Sequence, residues 1–147
     1  MRHVIRTFVA VLLLLPFAAA PSLAAGPHRL ALQISDNDPV KMNAVLNVAA
    51  NVSKFYSDQG QEIEIEVVAF NAGLNMLRED KSPVKPRLKS FKESMPNVSF
   101  MACQNTLDAM TRQEGKTPPL VTNATLVPAG VVRLIELGEK GWTIVRP

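Results

Sequence analysis

The chain has 147 residues, of which 47% are hydrophobic, and its formal net charge is +3. The length fits one domain, and the hydrophobic content is too high for a disordered chain. The single cysteine excludes an intrachain disulfide framework and any zinc or iron–sulfur site built from several cysteines of one chain. Two histidines are too few for the usual histidine-built metal centre, so we expect no metal and no other cofactor.

The chain opens with a basic segment and a short apolar run. Arg2 and Arg6 lie in the basic segment, and the apolar run covers residues 8–20. Ser22 and Ala24 then supply the small residues that signal cleavage requires at positions −3 and −1. This arrangement is typical of a secretory signal peptide.

The rival interpretation of this segment is a retained membrane anchor. The apolar run has about 13 residues, fewer than the ~20 that a helix needs to span a bilayer. We therefore predict a signal peptide over residues 1–24, a single mature domain over residues 25–147, and export to the periplasm without stable membrane insertion. Loss of the signal lowers the net charge to about +1, which gives no reason to expect nucleic-acid binding.

Strand and helix patterns alternate along the mature chain. Residues 29–34 form a short apolar run that is typical of a strand. Asp38 followed by Pro39 predicts the start of a helix, which Gly60 ends. Residues 63–70 then predict a second strand, in which glutamates alternate with apolar residues at the start and are expected to face water.

Two helical segments follow the second strand. Residues 74–78 predict a short helix, and Ser82 with Pro83 predicts the N-cap and first residue of a longer one. The longer helix carries one apolar stripe, formed by Val84, Leu88, Phe91 and Met95.

A third predicted strand leads directly to the cysteine. Residues 98–102 are apolar, and Cys103 follows at once. Asn105 is the predicted N-cap of a helix that runs to about Glu114, with Asp108 at the third helical position.

The remaining chain predicts two more strands around one helix. Residues 124–127 form a weaker strand, and residues 142–145 form the last one after Gly141. The helix between them is indicated by Val131, Leu134 and Ile135. Because parallel strands need long crossovers, five strands separated by helices predict an α/β fold. We expect a three-layer α/β/α sandwich with a five-stranded, mainly parallel sheet.

The carboxyl ends of the strands are the expected place for a site, since ligands of open parallel sheets bind there. Cys103 is the one strong nucleophile at these ends, and a helix start next to it favours the thiolate. The alternative is that Cys103 is a small buried hydrophobe. The other residues that we expect to bind ligand or shape the site are Asp36, Asn37, Asn71, Gly73, Asn105, Thr106, Pro128 and Gly130.

Three segments resemble proteins of the DsrE/DsrF-like family. Residues 100–107 contain Ala-Cys-x-Asn-Thr, residues 127–137 contain Val-Pro-x-Gly-Val, and residues 140–142 read Lys-Gly-Trp. The resemblance covers essentially the whole mature chain and implies an α/β sandwich with a parallel sheet that assembles into homo-oligomers. Sulfur-relay members of the family carry a persulfide on a cysteine, and Cys103 is the matching residue here. This chain differs from the typically cytoplasmic relay members by its predicted export signal.

The functional expectation is an exported thiol-based sulfur carrier, or sulfane-sulfur-binding protein, that acts through a persulfide on Cys103. Such a protein works with a sulfur donor or acceptor protein and is not a conventional hydrolase or oxidoreductase. The alternative is a non-catalytic binding or assembly module in which Cys103 is a packed structural residue. A basic run is expected to be a solvated helix face, with docking of an anionic partner or of membrane headgroups as its alternative: Lys81, Lys85, Arg87, Lys89 and Lys92.

Overall fold

A five-stranded sheet, parallel throughout, organises residues 26–147, which are the residues that the computed structural model describes. The strands are β1 His28–Ile34, β2 Ile63–Ala69, β3 Val98–Cys103, β4 Ala124–Val127 and β5 Thr143–Val145. The helices are α1 Pro39–Asp58, a 3₁₀ helix Asn71–Leu77, α2 Lys85–Ser94, α3 Gln104–Glu114 and α4 Gly130–Glu139. The predicted signal peptide lies outside these residues. Among these helices, none is long and apolar enough to cross a bilayer.

The order of the strands, β4-β3-β2-β1-β5, decides which face each helix covers. The first three crossovers step in one direction, whereas the last returns to the far side of β1. Right-handed crossovers therefore place α1, α2 and α3 on one face and α4 on the other. The core has two parts accordingly: Met42, Leu88 and Leu107 pack on the first face, and Leu134 and Leu137 on the second. The predicted three-layer α/β/α sandwich is confirmed.

The start of α1 agrees with the prediction, but the start of α2 does not. Asp38 accepts a hydrogen bond from the backbone N–H of Val40 at 2.8 Å, which makes it the N-cap of α1. The prediction of Ser82 as N-cap and Pro83 as first residue of α2 is wrong, because α2 begins at Lys85. The Ser82 hydroxyl instead accepts from the N–H of Val84 at 3.3 Å, within the turn that precedes the helix.

The start of α3 also differs from the prediction. Asn105 is not its N-cap, since β3 runs into α3 without a loop and Cys103 itself occupies the cap position in extended backbone. Asp108 does not close a capping box; it accepts a hydrogen bond from Gln104 Nε2 at 2.7 Å. As a result, Cys103 is both the last residue of a strand and the residue from which a helix starts.

The second face of the sheet contains a buried ion pair that the sequence did not predict. Glu66 was expected to face water, yet it is 6% exposed. It lies beneath α4, where Arg133 Nε donates to its Oε2 at 2.9 Å and the Arg133 Nη2 pairs with its other oxygen. Because α4 turns Arg133 toward the sheet, Val131 and Ile135 of the predicted apolar face are 52% and 56% exposed.

Candidate functional site

An open cleft of about 680 Å³ lies at the carboxyl ends of β2, β3 and β4. Its walls come from the 3₁₀ helix, from α3, and from the first residues of α4. The position is the one at which open α/β sheets bind ligands. Cys103 belongs to the lining of this cleft and is 5% exposed.

Cys103 is brought to this position by the register of the sheet. The residue ends β3 and is paired with Val127, the last residue of β4. On the other side of β3, Ala102 is paired with Ala69, the last residue of β2. The thiol is not in a disulfide, and its apolar neighbours on the second face include Phe70.

Two helix N-termini meet at the sulfur of Cys103. The backbone N–H groups of Asn105 and Thr106 at the start of α3, and that of Gly130 at the start of α4, lower the pKa of the Cys103 thiol. Neither of these two helices has a side-chain cap, and uncapped helix starts of this kind favour a nearby negative charge such as a thiolate.

The polar groups around the sulfur decide the ionisation of the thiol. Burial raises the pKa of Cys103, but the bonds from the Thr106 hydroxyl and from the three backbone N–H groups act against it. The net result is a pKa below the usual value for a cysteine. The cleft therefore favours the thiolate, which is the nucleophilic form.

Thr106 connects the thiol to the loop after β2. The backbone N–H of Asn71 donates to Thr106 Oγ1 at 3.0 Å, and the Thr106 hydroxyl lowers the pKa of the Cys103 thiol. Asn71 adopts a left-handed backbone with φ of 49°, which asparagine tolerates better than most residues. Because Thr106 Oγ1 accepts this bond, its own proton remains available to an acceptor such as the sulfur.

Two glycines allow close approaches around the cleft. A Cβ at Gly130 would lie 2.9 Å from the Cβ of Phe70, so glycine lets the start of α4 come close to the end of β2. A Cβ at Gly73 would lie 2.4 Å from the carbonyl oxygen of Ile34. Gly73 thus packs the 3₁₀ helix against the end of β1 and does not line the cleft.

A charged network forms the outer wall of the cleft. Arg78 is 1% exposed and binds both Asp80, at 2.8 and 2.9 Å, and Glu114, at 2.5 and 2.9 Å. Lys81 adds a bond to Glu114 at 3.1 Å. The hydrogen bonds from Arg78 and Lys81 lower the pKa of Glu114 to about 2. The network locks the end of α3 to the segment before α2.

Five of the nine residues predicted for the site line one cleft: Cys103, Asn71, Asn105, Thr106 and Gly130. The other four predicted residues do not line it: Asp36, Asn37, Gly73 and Pro128. Of these, Pro128 still shapes the site, since its carbonyl accepts from the N–H of Asn105 at 3.3 Å.

Asp36 and Asn37 lie in the turn between β1 and α1. Asp36 is bound by Lys41 at 3.0 Å and by Arg146 at 2.8 Å, and Asn37 is exposed. Within residues 26–147, no three His, Cys, Asp or Glu side chains are grouped so that they could hold a metal ion.

Several lining residues were missed from the sequence, namely Asn75, Arg78, Lys81, Gln113 and Glu114. They come from the 3₁₀ helix, the turn after it and the last turn of α3, where no local pattern distinguishes them from surface residues. Arg78 and Glu114 are 36 residues apart. The one local signal of burial was that Arg78 directly follows the apolar residues Met76 and Leu77, and this signal does not identify its partner.

Comparison with known proteins supports the fold alone. No protein-family model matches the chain, and no curated protein is significantly similar to it. A solved structure, that of the protein of unknown function MTH1491 from Methanobacterium thermoautotrophicum, matches with a TM-score of 0.69 and 26% sequence identity. The match covers 82% of this chain and 99% of that protein. Because the function of MTH1491 is unknown, the likeness carries no activity to this chain.

Proposed function

We propose that this chain is a DsrE-like sulfur carrier that holds sulfane sulfur as a persulfide on Cys103. One observation carries the proposal: Cys103 lies in an open cleft at the starts of two helices, whose N–H groups lower the pKa of its thiol. A thiolate stabilised in this way is the nucleophile that sulfur transfer needs.

The chemistry needs no cofactor. The Cys103 thiolate attacks the sulfane sulfur of a donor R–S–SH, a bond forms between the two sulfur atoms, and the donor's S–S bond breaks. The donor leaves as R–S⁻ and takes up a proton, so the exchange has no net oxidation. The N–H groups of Asn105, Thr106 and Gly130 then face the persulfide, whose terminal sulfur is passed to an acceptor by the reverse reaction.

The direct test is sulfur uptake by the purified protein. After treatment with inorganic polysulfide, mass spectrometry is expected to detect a gain of about 32 Da, one sulfur atom, on the peptide that contains Cys103. Cys103→Ser is the matched control and should abolish the gain without changing the circular dichroism spectrum. Failure of the wild-type protein to take up sulfur would reject the carrier function.

Export belongs to the same proposal. The basic start, the short apolar run and the small residues Ser22 and Ala24 support cleavage and release into the periplasm. Protein recovered from the envelope fraction of a host cell should begin near Ala25. An intact Met1 on a cytoplasmic protein would contradict export.

Assembly into a homo-oligomer is also proposed, on the basis of the second face of the sheet, which one helix covers only in part. Parallel sheets usually have both faces covered, and among the helices of residues 26–147 only α4 lies on this face. Val131, Val132 and Ile135 of α4 are exposed. Light scattering should give a mass above the ~13 kDa of one mature domain, and Ile135→Lys should lower it. A monomer at micromolar concentration would contradict assembly.

The second candidate function is a binding or assembly module in which Cys103 is a packing residue. The observation in its favour is the low exposure of Cys103, which packs with Phe70, Leu134 and Leu137 on the second face of the sheet. This candidate predicts an unreactive thiol, and the sulfur-uptake experiment separates the two functions.

A further inference from the structure

A buried ion pair holds α4 to the second face of the sheet. Glu66, in the middle of β2, is 6% exposed, and Arg133 binds it through two nitrogen atoms. Removing two charges from water costs much of what their attraction returns, so apolar residues of similar volume often stabilise a protein equally well. Stability alone therefore does not account for this pair, whereas a fork of two parallel bonds fixes an orientation.

The other contacts of α4 hold it on the sheet without fixing its rotation. Leu134 and Leu137 pack on the second face, and apolar contacts are non-directional. Val131 and Ile135 of the same helix stay 52% and 56% exposed. Within residues 26–147, the bonds from Arg133 are the only side-chain hydrogen bonds between α4 and the sheet. They are the directional contact that resists rotation of the helix.

The ion pair lies one helical turn from the site. Arg133 follows Gly130 by three residues, and its backbone N–H donates to the carbonyl of Ala129 at 2.9 Å, which closes the first turn of α4. Gly130 lines the cleft and approaches Phe70, the residue that follows β2. The helix is thus attached to β2 at two points, at Phe70 beside the cleft and at Glu66 earlier in the strand. A shift at Glu66 therefore displaces the N–H of Gly130.

We propose that the Glu66–Arg133 ion pair positions the site: it holds the first turn of α4 where the N–H of Gly130 acts on the sulfur of Cys103. The inference rests on the carrier function proposed above and adds two positioning residues to it. Neither residue takes part in the sulfur exchange, since both act through Gly130. Loss of the pair should leave α4 on the sheet through its apolar contacts, but with its start displaced from the thiol.

The alternative is that the two charges act on the thiol directly, and it predicts a different pattern. A positive group lowers the pKa of a thiol and a negative group raises it. Loss of the Glu66 charge would then lower the pKa of Cys103, and exchange of Arg133 for another cation would leave it unchanged. Displacement of α4 raises this pKa in both cases. The other charged groups near the helix start and the cleft are the same in every variant: Glu136, Arg78, Lys81 and Glu114.

The experiment measures the pKa of Cys103 in the purified protein from the pH dependence of alkylation. Glu66→Gln removes the charge and one acceptor of the fork, whereas Arg133→Lys keeps the charge and removes the fork. We expect each substitution to raise the pKa by about half a unit to one unit, since one bond to a charged group is weakened or lost. Glu64→Gln is the matched control, because Glu64 lies on the same face of β2 and its ion pair with Arg29 is exposed. The control should keep the wild-type pKa.

A double variant separates positioning from stability. Glu66→Leu combined with Arg133→Met replaces the ion pair by apolar residues of similar volume, so the urea midpoint should equal or exceed that of the wild type. The pKa of Cys103 should nevertheless be raised as in the single variants. This variant also decides the question if a single substitution prevents folding.

Sulfur uptake connects the pKa to the carrier function. Below the wild-type pKa, loading of Cys103 by inorganic polysulfide should be about two- to fourfold slower in the ion-pair variants, because the smaller thiolate fraction outweighs the higher nucleophilicity of each thiolate. Above both pKa values, the variants should react at least as fast as the wild type. A general loss of structure would not produce this dependence on pH.

The outcomes distinguish this inference from the function on which it rests. A pKa that falls or stays unchanged in Glu66→Gln or in Arg133→Lys would overturn the positioning role and keep the carrier function, provided that polysulfide loads Cys103. A stable double variant with the wild-type pKa would also overturn it, as would an equal rise in Glu64→Gln. If polysulfide does not load the wild-type protein, the carrier function fails, and the two pKa shifts still decide whether the ion pair positions α4.

Discussion

Gly130 and Cys103 meet in the cleft at the end of β3, where the first N–H of α4 lowers the pKa of the thiol. The contact brings together helices from opposite faces of the sheet, because α3 starts at the same sulfur from the other face. Gly130 can approach so closely because it has no side chain to meet Phe70. Two partial positive helix ends therefore act on one thiol, and each contributes to its ionisation.

The hydroxyl of Thr106 is expected to lower the pKa of Cys103 by its own bond to the sulfur. Thr106→Val keeps the shape of the side chain and removes that bond, so the pKa of Cys103 should rise by about one unit. The pH dependence of alkylation measures the shift. Thr106→Ser is the control and should restore the wild-type pKa. An unchanged pKa in Thr106→Val would show that the hydroxyl does not contribute.

A methyl group at Gly130 should move α4 away from the thiol. The added Cβ of Gly130→Ala would lie 2.9 Å from Phe70, so we expect a loss of about 1–3 kcal/mol in the free energy of unfolding and a higher pKa of Cys103. Urea denaturation and alkylation measure the two effects.

Gly138→Ala on the same helix is the matched control, since its nearest contact would be Ile144 Cδ1 at 3.4 Å. Alanine favours helix over glycine by up to about 1 kcal/mol, so this variant should be at least as stable as the wild type. Equal effects of the two substitutions would contradict the close approach of Gly130 to the site.

The network around Arg78 predicts a loss of stability in acid. The pKa of Glu114 is lowered from 4.5 to about 2, chiefly by hydrogen bonds from Arg78 and Lys81. Because the folded pKa is the lower one, the stabilisation is complete above about pH 4.5 and disappears as the pH falls toward 2. Glu114→Gln should therefore flatten the fall of the urea midpoint in this window.

Glu139→Gln removes an exposed carboxylate at the end of α4, outside the network, and serves as the control for Glu114→Gln. Its urea midpoint should follow the wild-type pH dependence. The role of the network would be contradicted if the two variants had the same profile between about pH 5 and pH 2.

The fold could be predicted because its signals are local. Apolar runs predicted every strand. Two adjacent residues, Asp38 and Pro39, were enough to predict where α1 begins. The rule that sites lie at the carboxyl ends of parallel strands also led to Cys103 and to four of the residues that line its cleft with it.

What could not be predicted depends on contacts between distant segments. Asn105 looked like a helix cap, yet β3 continues into α3 without a loop, so the cap fell on Cys103. Glu66 was predicted to be exposed because its partner Arg133 lies 67 residues away in the sequence, and no residue near Glu66 indicates the pairing. Arg78 was overlooked for the same reason, since its partner Glu114 comes from another helix.

The pH dependence of alkylation of native Cys103 tests the central claim most directly, because both helix starts act on this one thiol. The rate of reaction with iodoacetamide should reach half its maximum at a pH below ~8.5, the pKa of an ordinary cysteine. Unfolding in urea should move the midpoint back to that value. A native Cys103 that resists alkylation up to about pH 9, or that titrates no lower than in urea, would contradict the account.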